Sequence, residues 1–146
     1  MLNKKMFSLF KKKTKTSKEI DIYSKTASLL IHAAKIDEKY TDKEKIIIEK
    51  TLLEIGLDKE KLAQTMSKSE ENEKNSSQIL DYTKDIKNMD NDFKIKLIES
   101  LWKIIYSDKN SDLYESNLMR RLTGLLYLDK KIVGDIKEKV KKDFKN

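Results

Sequence analysis

Two short turns of this 146-residue chain are crowded with side-chain oxygen, and six of the residues there could ligate a cation. Asp37 and Glu44 lie within the stretch IDEKYTDKE, and Asp108, Asn110, Asp112 and Glu115 lie within SDKNSDLYE. An all-oxygen set of carboxylates, turn carbonyls and water is the chemistry of a hard divalent cation, Ca²⁺ or Mg²⁺. Asp108, Asn110 and Asp112 match positions one, three and five of an EF-hand loop. However, Leu113 stands where that loop needs Gly, and Met119 where it needs a bidentate Glu, so an EF-hand is excluded.

A second account of the same acids needs no ligand. Thr41-Asp-Lys-Glu44 and Asp112-Leu-Tyr-Glu115 both have the form of a capping box, in which the cap oxygen takes an orphan amide and the Glu reaches back to the cap's own amide. The aspartates fit this account less well. Each falls at the C-terminal end of a helical stretch, where the macrodipole disfavours negative charge. A lysine, the N-terminus of the next helix, or a cation held between Asp and Glu could compensate them. At this point capped turns and cation sites both stand.

Catalysis finds little support. There is no cysteine and one histidine, His32, which falls on a helical stripe. No Gly-rich phosphate loop or nucleophile elbow occurs, and no serine has a base beside it. The chain reads as a non-enzyme.

The elements that must hold these turns are helical. The chain has no proline and three glycines, and it is rich in Lys, Glu, Leu and Ile, a composition that favours helices and starves β-turns. Apolar residues recur at spacings of three and four in seven stretches. Ile20, Tyr23, Ala27, Leu30, Ile31 and Ala34 mark the first. Ile48, Leu52 and Ile55 mark a helix over about 41–56, stopped by Gly56 as a glycine cap. A short helix follows Asp58 with Leu62 and Met66. The polar segment 67–77 reads as a mobile loop and the midpoint. Helices then follow through Ile79, Tyr82 and Ile86, through Leu97, Leu101 and Ile105, through Leu118, Leu122 and Leu125, and through Ile132, Ile136 and Val140. The expected fold is all-α, a bundle of about seven helices.

Shifting the first half by 71 residues lays one helix pair on another. Leu30 falls on Leu101, Asp37 on Asp108, Thr41 on Asp112, Glu44 on Glu115, Ile48 on Met119 and Leu57 on Leu128. Apolar coincidence alone proves little, since any two amphipathic helix pairs can be slid into register. The acids add weight: in both copies an Asp closes one helix, a capping residue opens the next, and a Glu sits seven after the Asp. The expectation is an internally repeated helix-turn-helix pair.

Charge divides the chain in two. Residues 1–18 carry seven lysines and no acid, which leaves 25 basic and 25 acidic residues over 19–146. The expected organisation is a basic arm over 1–18 and one domain over 19–146. Thirty of the 32 basic residues are lysine, and the body is neutral, which argues against nucleic acid as a partner. In the arm, Leu2, Met6, Leu9 and Phe10 share one side of a helix, with Phe7 beside them and Lys11, Lys12 and Lys13 following. Such a segment can lie on an anionic membrane or meet a protein partner, or it can fold back onto the domain. No apolar run reaches the roughly 20 residues of a membrane span. A cytoplasmic location is expected, peripheral at the inner membrane face if the arm binds lipid.

The paired acidic turns resemble the TerB-like family of tellurite-resistance proteins. HAAKIDEKYTDKEKIIIEKTLLEIGL looks like the first half of that family's pattern and YSDKNSDLYESNLMRRLTGLLYL like the second, and together the likeness spans about residues 25–130. The family usually has Gly after each Asp, where this chain has Glu38 and Lys109. The resemblance implies an all-helical bundle of about seven helices, related to the N-terminal domain of a membrane-associated, DjlA-type DnaJ-like co-chaperone. It further implies divalent-cation binding at Asp37, Glu44, Asp108 and Glu115, to which the spacing of the second turn adds Asp112 and Asn110 as candidate ligands. The function expected on this basis is a non-enzymatic, cation-responsive module in a stress-response or membrane-surface assembly. The alternative is a metal-independent adaptor carried to anionic membrane by its arm.

Overall fold

A computed structural model describes residues 22–37, 39–75, 78–107 and 113–145, apart from the side chains of residues 37, 113–116 and 145. The basic arm, Leu2 to Lys13 included, lies outside these residues. Among the described residues there are seven α-helices and no strand. They are α1 (residues 22–34), α2 (Asp42–Glu54), α3 (Leu62–Asn75), α4 (Ile79–Ile86), α5 (Asn91–Ser107), α6 (Leu113–Leu125) and α7 (Lys130–Lys145). Single 3-10 turns, Lys35–Asp37 and Lys59–Lys61, follow α1 and precede α3. The all-helical bundle expected from the sequence is the fold observed. Among the described residues no helix is long and apolar enough to cross a membrane.

Two helices form the interior. On α1 every residue from Ser24 to Ala34 is buried except Lys25 and His32, which are partly so. On α5, Phe93, Leu97, Ile98, Leu101, Trp102, Ile104 and Ile105 are all buried. A helix buried nearly all round is a central one, and α5 accordingly packs against both α2 and α7. Leu30 and Leu101 are completely enclosed, each contributing about 1.5–3 kcal/mol by leaving water. Hydroxyls and the indole fix the register between neighbours. Thr51 Oγ1 and Ser100 Oγ lie 2.7 Å apart between α2 and α5, and Trp102 Nε1 donates to the Val133 carbonyl of α7 at 3.2 Å.

The repeat is carried in the backbone. The bounds of α2 and α6 coincide under the shift of 71, Asp42 falling on Leu113 and Glu54 on Leu125. The turns that close the two helices share one hydrogen-bond pattern. After α2, Gly56 N–H donates to Leu53 O and Leu57 N–H to Leu52 O, at 3.2 and 2.9 Å. After α6, Tyr127 N–H donates to Gly124 O and Leu128 N–H to Thr123 O, again at 3.2 and 2.9 Å. Both are Schellman closures, which satisfy the last carbonyls of a helix. The central helices α1 and α5 are the first members of the two pairs.

One expectation fails. Residues 67–75 are not a loop, because α3 continues through them to Asn75, and residues 76 and 77 lie outside the described residues. Its inward face is polar: Thr65, Met66, Ser69 and Glu73 are buried, at spacings of one, three and four. Ser28 Oγ donates to the Ser69 carbonyl at 3.0 Å, and Lys35 Nζ donates to Glu73 Oε2 at 2.7 Å. The helical period is therefore present, but it is written in polar residues that hydrogen-bond and ion-pair with α1 and the turn after it.

Candidate functional site

The first acidic turn is built from the end of α1, the 3-10 turn that Asp37 closes, and the start of α2. Thr41 has an extended backbone, φ −89° and ψ 161°, and so stands outside the helix as its cap. Both halves of the capping box are formed. Thr41 Oγ1 accepts from Glu44 N–H at 3.2 Å, and Glu44 Oε1 accepts from Thr41 N–H at 2.8 Å. The Thr41 hydroxyl also donates to Oε1, at 2.9 Å. Glu44 is only 3% exposed. All of its hydrogen bonds fall on one oxygen, which leaves Oε2 without one among the described residues.

Sequence reasoning missed Tyr40, Glu49 and Glu70, and these set the electrostatics of the turn. The Tyr40 hydroxyl is shut off from solvent without a hydrogen bond of good geometry among the described residues, although Glu70 is close enough to act on it. Burial raises its pKa well above the ordinary tyrosine value, and the negative charges of Glu70, Glu49 and Glu44 raise it further. Three carboxylates acting on one phenol mean a negative potential at the mouth of the turn. Beside it lies a cleft of about 690 Å³ lined by Lys35, Tyr40, Ser67, Glu70, Glu71 and Lys74. Lys45 Nζ reaches Glu70 at 3.9 Å and Lys35 Nζ reaches Glu73 at 2.7 Å, which offsets part of that charge. Glu70 and Glu73 escaped notice because they sit on the stretch of α3 expected to be a loop. Tyr40, adjoining a cap, carried no periodic signal.

Of the sequence-predicted site, Glu44 is placed in full and Asp37 by its backbone. The Asp37 side chain, Asp108, Asn110, Asp112 and the Glu115 side chain lie outside the described residues. Among the described residues no three acids or histidines are grouped to hold a metal. His32 lies between α1 and α3, its Nδ1 3.6 Å from Glu73 Oε1. Arg120 and Arg121 are both exposed.

No curated protein and no solved structure matches the chain. The profile of the family described as "Tellurite resistance protein TerB" matches residues 24–138, from α1 into α7. With most of its length covered by that profile and the all-helical fold in place, the chain belongs to the TerB family.

Proposed function

We propose that the protein is a non-enzymatic binding module whose first acidic turn takes a divalent cation, Ca²⁺ or Mg²⁺. The observation that carries this reading is the nearly buried carboxylate of Glu44, one oxygen fixed by the cap and the other without a hydrogen bond among the described residues. It lies within the negative potential that Tyr40 registers. A hard cation at Oε2, with Asp37 and turn carbonyls, would neutralise that potential and clamp α1 to α2. Binding at a turn between two packed helices stabilises the arrangement that binds better, by no more than the difference in affinity. The module would thereby report cation to a protein partner in a stress-response or membrane-surface assembly.

The rival reading is a metal-independent adaptor. It rests on the completed capping box, which explains Glu44 with no ligand at all. Glutamine separates the two, since it serves at the third position of a capping box as glutamate does but carries no charge. Calorimetric titration of Ca²⁺, then Mg²⁺, into metal-stripped protein should give binding heat and a rise in Tm. Asp37→Asn with Glu44→Gln should abolish both while leaving the metal-free Tm nearly unchanged. No heat and no Tm shift at millimolar cation in the wild-type chain would establish the adaptor reading.

A further inference from the structure

At the end of the bundle remote from that turn, the start of α1, the end of α2 and the approach to α5 enclose a groove of about 590 Å³. Its apolar lining comes from Ile22, Ile55, Met89, Phe93 and Ile95. Of these Phe93 is buried and the other four are half-covered. The polar lining includes Glu54, Asp90, Asp92 and Lys96. Lys96 Nζ lies 3.5 Å from Glu54 and answers that charge. Asp90 Oδ1 caps α5 by accepting from Phe93 N–H at 2.9 Å, and neither Asp90 nor Asp92 has a cationic partner among the described residues. The groove is an apolar trough with a net negative rim.

A trough of this kind fits a segment that alternates apolar side chains with lysine, and such a segment adjoins it in the chain. Residues 1–18 carry seven lysines and no acid, with Leu2, Met6, Leu9 and Phe10 at helical spacing. The first described residue, Ile22, is itself part of the groove wall. Eight residues lie between position 13 and Ile22, and the nine steps they make span up to about 30 Å when extended, so the arm can turn back and reach the trough. Being tethered, it would bind at an effective concentration in the millimolar range. We infer that this groove is the docking site of the chain's own basic arm, residues 2–13, with Leu9 and Phe10 in the apolar trough and lysines against Asp90 and Asp92. Docked in this way, the arm withholds its apolar side from every other surface, and salt releases it by screening the rim. The inference does not depend on a cation at the Asp37 turn.

The absence of cysteine allows a clean test on the full chain. A nitroxide attached through Ser8→Cys should broaden the methyl resonances of Ile55, Met89 and Ile95. Ile36 in the turn that follows α1, and Ile105 ten residues farther along α5, lie about 15–20 Å away and should be broadened far less. Replacing Asp92 with Lys and Glu54 with Gln should weaken docking by about fivefold per charge removed. Adding Lys11→Glu and Lys12→Glu to that variant should restore the broadening. Groove methyls that stay sharp at low salt, or broadening indifferent to the charge swap, would overturn the inference. A mixture of spin-labelled and isotope-labelled chains checks the tether: broadening there would mean that a second copy's arm fills the groove, which also overturns it.

Discussion

Gly56 and Tyr127 occupy the same position in the two copies of the repeat, 71 residues apart, and both have a positive φ, 116° and 55°. Each is the residue that turns the chain out of its helix in a Schellman closure. Glycine takes such angles without a steric cost, whereas an L side chain pays about 1–2 kcal/mol. Only the first copy has the glycine. At Gly56 an added Cβ would also meet the Tyr23 hydroxyl at 2.9 Å, a group that reaches the Ile55 carbonyl at 3.4 Å. Gly56→Ala should therefore lower stability by about 1–2 kcal/mol, seen as a lower urea midpoint at unchanged slope.

The opposite change is expected at Tyr127. Its side chain is 75% exposed, so little packing is lost with it. Tyr127→Gly relieves the left-handed strain, while the added freedom of the unfolded chain returns about 0.4–1 kcal/mol of that gain. A net stabilisation of up to about 1 kcal/mol should appear in the same urea titration. A midpoint lowered by this variant would mean that the ring makes a contact worth more than the strain.

The cap of α2 has its own signature. Thr41→Ala removes the acceptor for Glu44 N–H and the donor to Oε1, and should cost about 1 kcal/mol. Glu44→Gln keeps the box and should cost a few tenths. Equal losses from the two would show that the charge of Glu44, and not its geometry, stabilises the metal-free turn.

The phenol of Tyr40 predicts the alkaline limb. Its folded pKa is raised by burial and by Glu70, Glu49 and Glu44, so above pH 10 the unfolded chain releases a proton that the native chain keeps. The unfolded state then binds fewer protons, and stability falls as pH rises from about 10 upward. Tyr40→Phe should flatten stability between pH 9 and 11 in denaturant titrations. At pH 7 it should be neutral or slightly stabilising, because it removes a buried hydroxyl that lacks a good hydrogen bond.

These residues also mark what was legible in the sequence. The apolar helices were, because burial on one face repeats every three to four residues and leaves a readable stripe: Leu30, Ile48, Leu101 and Leu122 all lie in the core. The turn of Thr41 and Glu44 was legible because a capping box is local, needing only residues three apart. The second half of α3 was not. Its inward residues are Ser69 and Glu73, and what makes them inward is a partner about 40 residues away, Ser28 or Lys35. Tyr40 escaped for the same reason, since the charges that act on it come from Glu49 and Glu70 across a turn and a second helix. Positions defined by long-range polar contacts leave no period in a single sequence.

Glu73 offers the sharpest energetic consequence of that hidden face. It is 8% exposed on α3, with Lys35 Nζ at 2.7 Å and His32 Nδ1 at 3.6 Å. Removing one partner from an enclosed pair strands the other charge, which is costlier than the pair is valuable. Lys35 keeps about a third of its side chain in water, so the loss lies below that of a fully buried pair, about 1–3 kcal/mol for Lys35→Met. Glu73→Leu alone frees an ammonium that can swing to solvent, and should cost less. Combining the two should recover most of the Lys35→Met loss, a coupling of about 1 kcal/mol or more in a double-mutant cycle. Additive losses would instead mean that Glu73 is held by its packing on α1, with the ion pair contributing nothing.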